Sequence, residues 1–267
     1  MPDLTGTLRK MSAQRQQDGM VHYSLVLNGE SVLTLNDRLG EALRLEYTGR
    51  RVCVACGRLV PKVYANGYCY PCFSTLPECD LCMVRPELCH FAQGTCRDAN
   101  WGLAHCFQSH TVYLARTSGL KVGITRSKNL PTRWIDQGAV EALPLATVRN
   151  RRDSGLVEVR VARDMADRTD WRRMLRGPVE AIPFAPWVTM AREAIEELGL
   201  DVEWPHADVL AFTYPLLAVP TKVTARRLER IGHIEGALQG IKGQYLIFPH
   251  GVLNVRSHSG YEVRVSY

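Results

Sequence analysis

The 267-residue sequence predicts an α+β protein built from four consecutive regions. Apolar and polar residues alternate near the N-terminus, a pattern typical of strands. All nine cysteines then fall in a stretch with few long apolar runs, and beyond it strands and amphipathic helices alternate. We therefore expect an N-terminal β-region at 1–50, a zinc-ribbon-like cysteine-rich region at 51–110, an α/β module at 111–176 and an α+β region at 177–267.

The N-terminal region predicts a β-hairpin. The segments "VHYSLVLNG" and "ESVLTLN" alternate apolar and polar residues, and they meet at Asn28 and Gly29. An Asn-Gly pair is typical of a two-residue hairpin turn. Because an isolated hairpin is marginally stable in water, we expect it to pair with the C-terminal strands or to pack on another region.

The first cysteine motif predicts a structural zinc ribbon. Cys53 and Cys56 form one CxxC pair, and Cys69 and Cys72 form a second pair after a short spacer. Two such pairs supply the four thiolates of a tetrahedral zinc site. A redox-active CxxC and an iron–sulfur site are the alternatives.

The stretch from 79 to 110 offers more donors than one tetrahedral ion requires. The ligands expected for a second metal are Cys79, Cys82, Cys96, Cys106 and His110. Cys79 and Cys82 form one CxxC arm. Cys106 and His110 are spaced i,i+4, which would place them on one helix face as the other arm, with Cys96 as the substitute.

Two alternatives stay open in this stretch. Cys89 and His90 complete a further site, or they remain a buried thiol and a surface imidazole. An iron–sulfur cluster competes with zinc, because several thiolates suit iron as well. Its expected ligands are Cys79, Cys82, Cys96 and Cys106.

Positive charge is concentrated in one segment. The formal net charge is +6, and between Arg116 and Arg176 there are 14 Lys and Arg residues against 7 Asp and Glu. Concentrated positive charge attracts nucleic acid through counterion release, whereas a solvated basic surface is the alternative. The expected nucleic-acid contacts are Arg126, Lys128, Arg149, Arg151 and Arg152.

The sequence also bears on location. The N-terminal segment "MPDLTGTLRKMSAQRQQDG" is polar, and the longest apolar stretch, "VLAFTYPLLAVP", is too short to span a bilayer. We therefore expect a cytoplasmic protein with no membrane partner. In that setting, metal binding explains the cysteines better than disulfides do.

The remaining chain predicts two mixed regions. The central module has strands at "TVYLAR", "LKVGITR" and "LATVRN", a helix near "LPTRWIDQGA", and a second helix capped by Ser154. The C-terminal region has helices in "PWVTMAREAIEELGL" and "TARRLERIGHI", followed by strands in "GQYLIF", "GVLNVRS" and "YEVRVSY".

The central module resembles the GIY-YIG nuclease superfamily, which includes excinucleases and homing endonucleases. Tyr113 matches the tyrosine of GIY, and Gly123 matches the glycine of YIG. The N-L-x-x-R that leads into the first helix is matched by Asn129, Leu130 and Arg133. The whole chain also resembles a bacterial family of unknown function.

The resemblance implies a catalytic set of Tyr113, Lys121, Arg133 and Glu158. Glu158 would hold Mg²⁺ or Mn²⁺, Arg133 would stabilise phosphoryl charge, and Tyr113 would position or deprotonate water. Lys121 stands where the family has the tyrosine of YIG, as in the KIG subgroup of phage-type and uncharacterised relatives. We therefore expect a zinc-containing endonuclease; the alternatives are a non-catalytic DNA- or RNA-binding protein and a zinc-module scaffold for protein interactions.

Overall fold

The computed structural model describes residues 3–177 and 179–267. The strands are β1 Asp3–Thr7, β2 Ser12–Arg15, β3 Val21–Leu27, β4 Glu30–Thr34, β5 Ala42–Arg51, β6 His110–Arg116, β7 Leu120–Arg126, β8 Glu141–Val148, β9 Leu210–Ala211, β10 Ala225–Arg226, β11 His233–Ala237, β12 Gly240–Lys242, β13 Tyr245–Phe248, β14 Gly251–Asn254 and β15 Tyr261–Ser266. The helices are α1 Tyr70–Thr75, α2 Ala99–His105, α3 Thr132–Asp136, α4 Arg151–Val161, α5 Trp171–Arg176, α6 Ala185–Glu196 and α7 Leu228–Ile231. The predicted α+β class is confirmed.

The predicted hairpin is confirmed, and the two ends of the chain share a sheet. β3 and β4 pair antiparallel around Asn28 and Gly29, which both have positive φ, 55° and 94°. This is the backbone that an Asn-Gly hairpin turn requires. β2 completes the sheet of the hairpin, while β1 and β5 pair with the C-terminal strands in the order β1-β15-β5-β11.

The C-terminal strands form a further sheet in the order β10-β14-β13-β12. Side chains from this sheet and from both N-terminal sheets pack into one hydrophobic core, represented by Leu25, Leu45 and Leu246. The strands near the N-terminus are therefore stabilised by burial against the C-terminal strands.

The central module is a sheet in the order β7-β6-β8-β9. Successive side chains of β6, which lies between β7 and β8, point to opposite faces of the sheet and enter two different hydrophobic cores. Val112 and Leu114 pack with the apolar faces of α4 and α6. Tyr113 and Ala115 face the opposite way and join the core formed by the N- and C-terminal strands. The module is thus covered on both faces.

A buried amide fixes α3 against the rest of the molecule. The Gln244 side chain accepts a hydrogen bond from the Met11 backbone N–H at 2.8 Å and donates to Asp136 Oδ1 at 3.0 Å. Asp136 also pairs with Lys10. Because Asp136 ends α3, these contacts hold the helix that carries Arg133.

Two helices differ from the sequence prediction. α4 begins at Arg151, because Asn150 caps it by accepting from the Asp153 N–H at 2.9 Å; Ser154 lies inside the helix and donates to the Arg151 carbonyl. In "TARRLERIGHI" only α7 is helical, because β10 pairs with β14 just before it and Gly232 ends it. No helix in the described ranges is long and apolar enough to cross a membrane.

Candidate active-site cleft and cysteine sites

A cleft of about 450 Å³ lies where the central sheet meets α3, α4 and the loop at residues 83–86. The four side chains that the nuclease resemblance implies as catalytic all line it: Tyr113, Lys121, Arg133 and Glu158. They come from β6, β7, α3 and α4 respectively. We call this cavity the cleft.

Tyr113 forms the floor of the cleft. It is paired in register with Gly123 on β7, and a Cβ added at Gly123 would lie 2.7 Å from the phenolic Cζ and Oη atoms. Only glycine therefore lets the ring lie across β7. The hydroxyl donates to Gln137 Oε1 at 2.7 Å, and the side chain is 0% exposed. Burial raises the pKa of Tyr113, so it holds its proton and orients Gln137.

A half-buried carboxyl and a buried amine lie together in the cleft. Burial raises the pKa of Glu158 to about 7, although Lys121 and Arg133 favour its charged form. Burial lowers the pKa of Lys121 to about 8; the side chain is 4% exposed, and its Nζ donates to the Asp167 carbonyl at 2.7 Å. Because Glu158 is near its midpoint at neutral pH, a bound cation can readily take the place of its proton.

Arginines form the rim of the cleft. Its lining includes Arg126, Arg151, Arg168 and Arg256. Arg168 is almost fully solvent-exposed, with 93% of its side-chain surface accessible, whereas burial lowers the pKa of Arg256. Lys128 lines an adjoining cavity of about 410 Å³, which shares Arg126, Arg133 and Arg256 with the cleft. The two cavities together form one basic concave surface.

Two of the expected nucleic-acid contacts lie elsewhere. Arg149 pairs with Asp201 at 2.6 Å and borders a different cavity, which Glu203 also lines. Arg152 is exposed on α4 and does not line the cleft, although its neighbour Arg151 does. The two residues are neighbours in the chain, but only Arg151 lies on the side of α4 that borders the cleft. Their charges alone do not reveal which of them does so.

Three cleft residues were missed by sequence reasoning. Asp167 and Arg168 lie in the loop after α4, and Asp167 adds a second carboxylate near Glu158. Their position shortly after Glu158 in the basic segment was the available signal. Arg256 follows β14 and reaches the cleft only through the tertiary fold, so the sequence offered no signal for it.

The first four cysteines come together in a cluster that could hold a metal ion. The sulfurs of Cys53, Cys56, Cys69 and Cys72 lie within 4.8 Å of one another. The Sγ atoms of Cys56 and Cys69 are 3.7 Å apart, close to the edge of about 3.8 Å that a tetrahedron with Zn–S bonds of about 2.3 Å requires. The donor set and spacing therefore fit a zinc ion.

Backbone hydrogen bonds stabilise the Cys53 thiolate of this cluster. The Cys69 N–H donates to Cys53 Sγ at 3.2 Å. Burial by itself raises the pKa of Cys53, but N–H groups from Cys56, Cys69 and Ala55 outweigh it and lower the pKa to about 6. The turn at Gly67 lies against the C-terminal region, because an added Cβ would lie 2.9 Å from the Ser259 carbonyl oxygen. The turn before the second CxxC pair thus packs against the segment that leads into β15.

The five donors predicted for a second metal do not all meet. Cys82, Cys96 and Cys106 line a small void, and Cys89 joins them there, whereas Cys79 is not part of its lining. Burial raises the pKa of Cys79 to about 11. The sequence left the role of Cys89 open, and it is Cys89, rather than the predicted Cys79, that lines the void with the other three cysteines.

His110 lies in the cleft instead. α2 ends at His105 and β6 begins at His110, so Cys106 and His110 do not share a helix face. The His110 Nδ1 lies 2.6 Å from the Gln108 carbonyl, and Nε2 has no hydrogen-bond partner in the described part of the chain. Burial lowers the pKa of His110 to about 4, so its ring is neutral at pH 7.

A smaller donor group borders the void. Donor atoms of Asp80, Cys82 and His90 lie within 4.8 Å of one another. Asp80 already accepts from the Cys82 N–H at 3.1 Å and pairs with Arg97 at 2.7 Å. These contacts satisfy the carboxylate and fix the turn that carries Cys82.

Comparison with known proteins places the chain in a family. Neither the curated proteins nor the solved structures contain a significant match to this chain. A family model described as "Protein of unknown function (DUF2797)" matches residues 40–263. Because that match covers most of the sequence, the chain belongs to the DUF2797 family, as the resemblance to a family of unknown function predicted.

Proposed function

We propose that this protein is a divalent-metal-dependent phosphodiesterase that acts on nucleic acid. The observation that carries the proposal is the convergence of Tyr113, Lys121, Arg133 and Glu158 on one cleft with an arginine rim. The resemblance to the GIY-YIG superfamily selects these four positions from sequence alone, without reference to their spatial relation. Their meeting in one cavity is what that resemblance requires.

The residues suit phosphodiester hydrolysis. Glu158, with Asp167 nearby, would hold Mg²⁺ or Mn²⁺, which when bound polarises the scissile phosphate. Arg133 would donate hydrogen bonds to the phosphoryl oxygens as their charge grows. Lys121 would add positive charge beside them. Tyr113 acts as a positioning residue, because its hydroxyl is buried and orients Gln137.

The rim suits a polyanionic substrate. Arg126, Arg151, Arg168 and Arg256 surround the cleft, and Lys128 extends the basic surface into the adjoining cavity. Binding to such a surface releases counterions, so affinity should fall steeply as salt is raised. The steepness of this salt dependence would distinguish the two kinds of substrate. A small phosphorylated molecule contacts fewer basic side chains than nucleic acid does, so its binding should depend less on salt.

A cleavage assay tests the proposal. Zinc-loaded wild type and its Glu158→Ala and Arg133→Ala variants are incubated with labelled single- and double-stranded DNA and RNA, with and without Mg²⁺ or Mn²⁺. We expect wild type alone to cut, and only with added metal. Equal cutting by either variant would contradict the site assignment.

A matched pair of arginines tests the binding surface. Arg168 and Arg152 are both exposed, but only Arg168 lines the cleft. Arg168→Ala should weaken nucleic-acid binding and reduce its salt dependence by about one unit of log–log slope, whereas Arg152→Ala should leave both unchanged. The two substitutions remove the same charge, so net charge cannot explain a difference.

A second candidate function is non-catalytic binding of DNA or RNA. The observation that favours it is Lys121, which stands where the superfamily has a tyrosine and is tied to the Asp167 carbonyl. In that case wild type and Glu158→Ala would shift nucleic acid equally in a native gel, and neither would cut it. A role as a protein-interaction scaffold would follow if neither DNA nor RNA bound at low salt.

A further inference from the structure

Four cysteines outside the zinc site surround one small void. Its lining includes Cys82, Cys89, Cys96 and Cys106, together with the aromatic rings of Phe91 and Trp101. Cys89 is close enough to both Cys82 and Cys106, and Cys96 is close enough to Cys106, for their thiolate charges to interact. Four thiols gathered around a shared space are a metal-binding arrangement.

The thiols around the void are not grouped as the thiols of a single-zinc site are. In the first site all four sulfurs lie within 4.8 Å of one another, but Cys89, Cys96 and Cys106 belong to no such group among the described residues. Sulfurs that all bind one zinc ion at about 2.3 Å lie about 3.8 Å from one another.

We propose that Cys82, Cys89, Cys96 and Cys106 hold a [4Fe–4S] cluster. Each cysteine of such a cluster binds a different iron atom, so its sulfurs stand farther apart than sulfurs on a single ion. The surrounding groups suit a cluster in a partly enclosed, apolar setting. Phe91 and Trp101 supply apolar surface to the lining, and Gly102 lets Cys96 come close, because an added Cβ would lie 3.3 Å from the Cys96 sulfur.

The proposed cluster lies next to the cleft. The chain between Cys82 and Cys89 supplies Met83, Val84 and Pro86 to the cleft lining. This loop presses against α4, where a Cβ added at Gly155 would lie 2.7 Å from the Pro86 carbonyl carbon. The cluster would therefore fix one wall of the cleft by anchoring both ends of the loop.

The chain offers a matched control. Cys79 belongs to the CxxC pair that sequence spacing selects, yet it does not line the void. Cys89 lies in no CxxC pair, yet it does line the void. A cluster in the void therefore requires Cys89 and not Cys79, the reverse of what spacing predicts.

Metal and sulfide analysis of anaerobically purified full-length protein tests the proposal. We expect wild type and Cys79→Ser to be brown and to contain about four iron and four acid-labile sulfide per chain, with about one zinc. Cys89→Ser should lose most of the iron and sulfide and keep its zinc. His90→Ala should behave as wild type.

Several results would overturn the proposal. Wild type with two zinc ions and no sulfide, even after anaerobic reconstitution with iron and sulfide, excludes the cluster. Equal iron loss from Cys79→Ser and Cys89→Ser excludes the ligand set, and iron loss from His90→Ala favours the Asp80, Cys82 and His90 group instead. These readouts do not depend on nuclease activity, so the proposed function can fail while the cluster stands.

If Cys89→Ser does not fold, a measurement on wild type alone can still test the ligand set. Native wild type is alkylated before and after its iron is removed by a chelator, and labelled cysteines are identified by mass spectrometry. The four proposed ligands should be protected together and released together with the iron. Independent labelling of Cys89 while iron is still bound would contradict the assignment.

Discussion

Replacing Glu158 by glutamine should stabilise the protein, and the gain should depend on pH. Burial raises the pKa of Glu158 from 4.5 to about 7. An acid whose folded-state pKa is raised has no effect on stability below its unfolded pKa, and it destabilises the fold increasingly as pH rises toward the folded pKa. The carboxylate should therefore be a stability cost at pH 8 that Glu158→Gln removes.

The magnitude follows from the size of the shift. A rise of about 2.5 pKa units, at about 1.36 kcal/mol each, corresponds to about 3 kcal/mol above pH 7. At pH 5 only the unfolded chain has begun to ionise, so the gain falls to about 1 kcal/mol, and at pH 4 it nearly vanishes.

Urea unfolding at pH 4, 5 and 8 measures this difference. The protein is kept zinc-loaded, without added Mg²⁺ or Mn²⁺. Glu196→Gln, on the exposed face of α6, is the control and should change the free energy of unfolding by less than about 0.5 kcal/mol. A Glu158→Gln gain that is equal at pH 5 and pH 8, or absent at pH 8, would refute the reasoning.

Added metal should nearly cancel the difference. A cation bound only by the folded protein at 100 times its dissociation constant stabilises it by about 2.7 kcal/mol. If Glu158 holds the metal, Mn²⁺ at pH 8 should stabilise wild type and leave Glu158→Gln unchanged. Equal stabilisation of both proteins would place the cation elsewhere.

Three further changes have expected outcomes. Gly123→Ala should lower the free energy of unfolding by about 1–3 kcal/mol, because its Cβ would overlap the Tyr113 ring; urea unfolding measures this. Gly155→Ala should push the Pro86 loop off α4, and faster hydrogen exchange of the loop amides would report it. Removing zinc from the four-cysteine site should unfold residues 53–72 first, so limited proteolysis should cut there while the β-sheets stay intact.

The two glycine substitutions share one control, and each of the three predictions can be contradicted by a specific result. Gly119→Ala introduces a Cβ with no heavy atom within 4 Å, so it should leave stability and exchange unchanged. Unaltered unfolding of Gly123→Ala, unaltered loop exchange in Gly155→Ala, or resistance of the zinc-free cysteine region to protease would each contradict the packing described above.

The sequence by itself determined the features that depend on neighbouring residues. The hairpin followed from Asn28 and Gly29, because that pair adopts the positive φ angles of the turn at little cost. The four-cysteine cluster followed from two CxxC pairs, because each pair presents two sulfurs from one turn. The predicted cap of α4 at Ser154 was wrong: Asn150 caps the helix, and because both residue types are good caps, local preference does not select between them.

Tertiary structure decided which distant residues meet. Nothing in the local pattern brings Arg256 to the cleft beside Arg133, because that contact depends on how the C-terminal strands pack against the central sheet. Nor could spacing choose Cys89 over Cys79, because short 3-10 turns, rather than a regular helix, set the direction of each thiol. The burial that shifts the pKa of Glu158 likewise arises only when the chain folds and the other walls of the cleft pack around α4.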